Sequence, residues 1–472
     1  MPRIPARGGN AARTHRSPRP RRRDLQVRVA ALGVLAALAL APTRGHAQGW
    51  APEFGDPAPG TPGGLDGPVY ALLATADRLY VGGAFSHAGE VEAHNVAAWD
   101  GAAWHPLGDG VDGAVRALIV WNDLLVVGGD FTHAGALPAA HLASWADGTG
   151  WQATPDGVDD AVHALHVGND GLYVGGDFVS SGATPLAHVG RWNGATWSSL
   201  AGGVNSRVSA FADFDSQLIV SGWFNLASGV PVNRIAAWDG VAFSPLGFGL
   251  NGPGWAARVF QSELVVGGFF EFAGGGSAVG AARWNGQSWG GFPPGLGGNV
   301  VALAEFEGEL VAGGWYLVSG GSPMPRLAHW TGTAWLGFDQ GLDDRVQALA
   351  TWQGSLYVGG DFLSASGVPS RHLARWAGTS GATTPDLAST LRVIPNPTHG
   401  DARLVFTRSG SNENASTRGA RLFGIDGRIV SRGESLLSAD GTVHLSHLPA
   451  GRYLLALGEG SEQRVLPITV AP

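Results

Sequence analysis

Seven short polar or glycine residues recur at one register of this chain: Asp66, Asp112, Asp159, Asn205, Asn251, Gly297 and Asp343. Carboxylates gathered round one point are chemistry for a cation, since hard metal ions take oxygen ligands. Asn or Gly at three of the seven positions favours the other use of such residues, an Asx side chain that holds a turn by accepting backbone N–H bonds. A second set lies four residues before a recurrent tryptophan: Asn95, His141, His188, Arg234, Gly280, Arg326 and His372. Imidazoles ligate metals, yet His141 and His188 sit a whole repeat apart, and the mixed residue types favour hydrogen bonding. No metal is expected at either set. Asp130, Asp177 and Asp361 form a third, but Ala84, Trp223, Phe269 and Trp315 replace them in other repeats, so no uniform ring of sites exists there.

Tryptophan is more suggestive. Trp121, Trp223, Trp255, Trp315 and Trp352 stand outside the recurrent positions. Large aromatics mostly pack. On a loop face, Trp223, Trp255, Trp315 and Trp352 are the candidates to stack on the rings of a sugar ligand. No Ser-His-Asp set, phosphate loop or zinc-ligand spacing is present. No repeat carries an insertion longer than one residue, and long loops are where catalytic pockets are built. The expectation is therefore a binding protein for an extracellular glycan or protein, without catalytic residues or cofactor. The alternatives are a polysaccharide lyase or hydrolase and a structural component of a surface layer.

The elements that must position these residues follow from the repeat. Leu172-Tyr173-Val174-Gly175-Gly176-Asp177-Phe178 has copies centred on Gly83, Gly129, Gly176, Gly222, Gly268, Gly314 and Gly360, spaced by 46 residues five times and by 47 once. Trp99, Trp145, Trp192, Trp238, Trp284, Trp330 and Trp376 follow each glycine by 16 residues. Within one repeat, residues 115–120, 124–131, 141–145 and 151–153 read as four strands bounded by Gly, Asp or Pro. They are apolar on both faces, which suits a sheet packed between two others. Four strands per repeat indicate a propeller blade. Six repeats carry a second aromatic after the tryptophan: Trp104, Trp151, Trp197, Phe243, Trp289 and Trp335. The seventh lacks it, while Trp50 stands unattached at the other end, so Trp50 is expected to supply the last outer strand and close the ring. The fold class is all-β: a seven-bladed β-propeller over 48–378, a Ser/Thr/Gly linker over 379–390, and a small Ig-like β-sandwich over 391–472, with strands expected at 403–406, 420–423 and 453–457.

The charge is uneven. Residues 1–47 hold ten of the 30 Arg and one of the 38 acids, so the remainder carries 20 − 37 = −17 and no lysine. A chain that acidic is a poor ligand for nucleic acid or anionic membrane. The Arg-rich start, an apolar run over 29–41 and a small-x-small site before Gln48 read as a signal peptide cut between Ala47 and Gln48. No later run is long enough for a membrane span. Without cysteine there is no disulfide.

The diglycine Gly128-Gly129 with Trp151 resembles kelch-type propeller repeats, and the chain is similar more closely still to a bacterial propeller repeat of the form LYVGGDF…G…ARWDG…W…LG, which covers all seven. It implies the fold; it leaves function open, because propellers host many chemistries. The Tyr–Cys redox cofactor of some kelch-like enzymes cannot form here. Val393-Ile394-Pro395-Asn396-Pro397 with Gly400, then Asp426-Gly427-Arg428, then Gly451-Arg452-Tyr453, resemble the C-terminal sorting domain (type A) of type IX secretion. That resemblance implies export by the type IX machinery of a Gram-negative bacterium, and a final place outside the cell or on the outer-membrane surface. A lysine often found near the end of such domains is absent over 465–470.

Overall fold

The computed structural model describes residues 49–56, 62–315 and 318–378 (Val318 and Pro323 as backbone only), and the backbone of seven strands beyond residue 390. The expected leader, with Ala47 and Gln48, and the linker at 379–390 lie outside the described residues. No helix among those described is long and apolar enough to cross a membrane.

Seven four-stranded antiparallel sheets follow one another along the chain. Blade two shows the pattern: Val115–Trp121, Leu124–Gly129, Leu142–Ala146 and Gly150–Ala153. The first strand of every blade packs between the first strands of its two neighbours, and that of blade seven returns to blade one. These strands line a central channel. One difference from the sequence reading is a two-stranded hairpin where an irregular loop was expected, such as His133–Ala134 with Leu137–Pro138. It occurs in every blade. Strands of two residues are too short to show periodicity.

The diglycine exists because blades and chain approach closely there. A Cβ on the second glycine of each pair would stand 1.8–2.2 Å from the carbonyl oxygen of the residue that precedes the first strand. A Cβ on the first would stand 2.4 Å from Val115 at Gly82, and 2.4 Å from Val69 at Gly359, so the same contact joins blade seven to blade one. Blade four breaks the pattern with Ser221, and the residue it faces in blade five is Gly254 rather than valine. A Cβ on Gly254 would lie 2.1 Å from Ser221 Oγ. Gly254→Val is therefore expected to cost about 1–3 kcal/mol through overpacking, and Ser221→Gly added to it to recover most of that. A double-mutant cycle in urea should give a coupling of about 1 kcal/mol or more; purely additive losses would contradict the contact.

Closure runs as Trp50 suggests. Gly49–Ala51 pairs antiparallel with Leu373–Ala377, placing Trp50 opposite Trp376. Their rings meet edge to face at 5.2 Å, as Trp145 and Trp151 do within blade two. Glu53 then grips the Arg375 guanidinium through both carboxylate oxygens. Phe54 is fully buried and touches Trp99 and Trp104 of blade one and Tyr357 of blade seven.

Beyond residue 390 the strands are antiparallel in two sheets. Leu391–Pro395, Ala402–Phe406 and Thr442–Leu445 form one, and Ile429–Arg432, Arg421–Gly424, Gly451–Leu457 and Arg464–Val470 the other. Pro395, Gly451 and Tyr453 fall on strands, whereas Asn396, Pro397, Gly400, Asp426, Gly427 and Arg428 lie outside the described residues.

Candidate binding site at the channel mouth

Each blade carries a β-bulge in its first strand. In blade two Val115 pairs with Gly129 and Ala117 with Gly128, leaving Arg116 as the extra residue. A bulge re-aims the side chain it leaves unpaired. The seven bulge residues are Tyr70, Arg116, His163, Ser209, Trp255, Val301 and Gln347. The residue that follows the diglycine comes fourteen positions later, and the pairs that form across this gap set the mouth. Arg116 bonds Asp130 through Nε at 2.8 Å and NH2 at 2.6 Å. His163 Nε2 lies 2.9 Å from Asp177, and Gln347 Nε2 donates to Asp361 at 3.1 Å. Trp255 stacks on Phe269 at 6.2 Å and 16°.

The mouth is thus divided. Blades two, three and seven supply ion pairs and amides. Blades four, five and six supply Trp223, Trp255, Phe269 and Trp315, with Trp255 at their centre, 6.3 Å from Trp223 and 5.9 Å from Trp315. Trp223, Phe269 and Trp315 are 41, 58 and 40% exposed, and so open to a ligand. Two arginines stand one position before a bulged strand and reach back to the preceding blade. Arg207 forms a two-pronged bond to Asp177. Arg345 lies over the Trp315 ring at 4.4 Å, a cation–π contact.

Electrostatics fix these groups in place. Burial pushes the Asp177 carboxyl up, but the bonds from Arg207 and His163 outweigh it and hold it below the usual range. Burial also lowers the His163 imidazole against the opposing pull of Asp177. His163 is therefore uncharged at neutral pH. Three arginines (Arg116, Arg207, Arg345) accompany three carboxylates (Asp130, Asp177, Asp361) after the diglycines, and Asp160 and Asp344, just before the first strands of blades three and seven, add two further acids.

Other expected residues fall elsewhere. Trp352 is corrected: it is 4% exposed, packs on Tyr357 and donates to the Thr75 carbonyl at 2.8 Å, so it offers no face to a ligand. Trp121 packs against a core cluster. The recurrent Asx residues bind no neighbouring turn of their own; they accept N–H bonds from residues 20 and 21 positions onward, as Asp112 does from Thr132 and His133, both at 2.7 Å. Burial raises the Asp112 carboxyl, and those bonds together with the Thr132 hydroxyl outweigh it, leaving it at about 2. At the second set, Asn95, His141, His188, Arg234, Arg326 and His372 all have positive φ, and Gly280 joins them. His141 and His372 bond the carbonyls of Gly129 and Gly360 at 3.2 and 3.1 Å. Left-handed backbone explains why Asn, Gly and His share that position.

Just outside the aromatic arc, Phe248 and Phe272 line a crevice of about 340 Å³ with Asn225, Asn233, Arg234 and Asn251. They are 81 and 46% exposed. Arg234 connects the two places, because its guanidinium donates to the Trp223 carbonyl.

No family model matches the chain, and no curated protein matches it. Among solved structures it is similar to the WD40 β-propeller domain of Doa1, at 12% identity and a TM-score of 0.43, covering 66% of this chain and 93% of that one. It is similar too to PorZ, a surface component of the type IX secretion system of Porphyromonas gingivalis, at 15% identity and a TM-score of 0.45, over 87% of this chain and 60% of PorZ. A third is the extracellular domain of the one-component system BT4673 from B. thetaiotaomicron, at 11% and 0.41, over 86% of this chain and 56% of that one. The present chain therefore spans less than two thirds of the latter two. At such identities the likeness is one of fold.

Proposed function

We propose that this chain is an exported binding protein that takes an extracellular glycan or protein at its channel mouth and returns it unchanged. The carrying observation is the arc of exposed Trp223, Phe269 and Trp315 around half-buried Trp255, faced by side chains already locked in ion pairs. Ligand sites are concave aromatic surfaces with a few placed polar groups, and Trp and Arg dominate binding energy where they cluster. Catalysis is the second reading, resting on the His163–Asp177 pair. Against it, Arg207 occupies the same carboxylate, and no hydroxyl among the described residues bonds His163. The test is to present the purified full chain to arrays of polysaccharides and surface proteins and analyse every hit for products. Intact ligand supports binding; shortened ligand supports the enzyme.

The repeat is of the kelch-like kind on this reading, and the chain's address is type IX secretion, read from Pro395, Asn396, Pro397 and Gly400 and from the motifs at Asp426 and Gly451. The propeller would then work outside the cell, released or held at the outer-membrane surface. Removing residues 386–472 is expected to leave it in the periplasm. Undiminished propeller in the medium or on the surface would refute that address.

A further inference from the structure

We infer that the ligand is a linear, uncharged polysaccharide that runs from the channel mouth outward over blades four and five into the crevice of Phe248 and Phe272. This rests on the mouth being the binding site and adds the chemical class and the path.

Three observations lead there. The first is charge. The arginines of the mouth are matched by Asp130, Asp177 and Asp361, Asp160 and Asp344 add two acids beside them, and the residues after 47 carry −17, so an acidic polymer gains nothing from the site and is repelled by its surroundings. The second is shape and chemistry together. Trp255 stacks on Phe269 within 16° of parallel, which holds the 58% exposed Phe269 ring as a fixed apolar surface. Across the mouth, Arg116, Asp130, Asp177 and Arg207 are planar groups locked in pairs, whose remaining donors and acceptors are held without further loss of rotamer freedom. A sugar ring has an apolar C–H face and a rim of hydroxyls, and it complements both surfaces at once. The third is continuity. All five exposed large aromatics among the described residues (Trp223, Phe248, Phe269, Phe272 and Trp315) belong to blades four to six or the turns between them. Arg234 lines the crevice and bonds the backbone of Trp223, so the second platform begins where the first ends. Asn225, Asn233 and Asn251 supply amides to the crevice, and Arg234, the charged side chain that lines it, is engaged with the Trp223 carbonyl. A ligand that occupies both the arc and the crevice must be extended, as a polymer is.

The experiment is calorimetric titration of the full chain with neutral linear oligosaccharides of glucose, xylose and mannose, from monosaccharide to hexasaccharide, beside oligogalacturonates. Affinity is expected to rise about tenfold or more with length and then level off. Phe248→Ala, at a side chain too exposed to support the fold, should abolish the gain for long chains while leaving the shortest binder unchanged. Trp255→Ala should weaken every length. Equal binding of Phe248→Ala and wild type at all lengths would overturn the path. Tighter binding of oligogalacturonate would overturn the neutral class. If no oligosaccharide binds, and a protein bound on the array is lost in Trp255→Ala, the mouth stands as the site and the polysaccharide falls. If array binding survives Trp255→Ala, both fall.

Discussion

Phe54→Ala is expected to cost the propeller about 3–5 kcal/mol, the range for deleting a buried phenylalanine ring. The residue looks unimportant in the sequence, standing in Pro52–Phe54, a single short turn outside any repeat. Its ring is nevertheless at 0% exposure, with Trp99 at 5.3 Å, Trp104 at 5.9 Å and Tyr357 at 6.2 Å. Those neighbours belong to blades one and seven, which the chain brings together only by closing the ring. The backbone fastens the same seam: Arg371 N–H donates to the Phe54 carbonyl at 2.7 Å, and Leu65 N–H to the Arg371 carbonyl at 3.0 Å. Removing the ring leaves a cavity at the junction where the N-terminal strand, rather than a link between successive repeats, joins blade seven to blade one. Urea unfolding of Phe54→Ala beside Val241→Ala, whose side chain is 79% exposed, measures the effect. Equal midpoints for the two variants would show that the ring does not depend on this clasp.

Trp255→Ala should weaken ligand binding by about 2 kcal/mol or more, roughly thirtyfold, which is the behaviour of a central aromatic anchor. Trp255 touches Trp223, Phe269 and Trp315, one ring from each of three blades, so its loss removes a contact surface and also lets the other three rings move. It sits on a bulge, where the side chain points out of the ladder, and the fold should tolerate the change. Leu336→Ala, at a 48% exposed position on the outer strand of blade six, serves as the control. Binding of the array hit by Trp255→Ala at wild-type strength would show that the aromatic arc is not the anchor.

The fold was legible because its markers are residues that the geometry cannot exchange. A Cβ on the second glycine of each pair would come within about 2 Å of a carbonyl oxygen, so nothing larger fits. The recurrent tryptophan packs on the second aromatic of its own blade, at 5.1 Å for Trp99 and Trp104. An unpaired Trp50 at one end and a missing partner for Trp376 at the other were enough to anticipate the closing strand. The site was less legible for the opposite reason. The bulge positions and those after the diglycine hold Tyr, Arg, His, Ser, Trp, Val and Gln, and Ala, Asp, Trp and Phe, because they pair with one another at the channel end and not with the repeated backbone contacts that fix the glycines. Variation after the diglycine excluded a uniform ring of sites, and the bulge positions have no signal of their own in the sequence, because a bulge is visible only in the strand register. Trp352 went the other way: it stands outside the recurrent positions yet fills core, since the hairpin that carries it folds back on Thr75 and Tyr357. Sequence spacing alone does not tell which side of a strand end is covered.

The central claim is that ligand rests in the mouth, against Trp255. The most direct measurement is a crystal structure of the protein with the tightest-binding molecule from the arrays. Ligand lying over Trp255 and Phe269, with polar groups directed to Arg116, Asp130, Asp177 or Arg207, is the predicted result. Ligand bound elsewhere on the molecule, with the mouth holding only water, would contradict it.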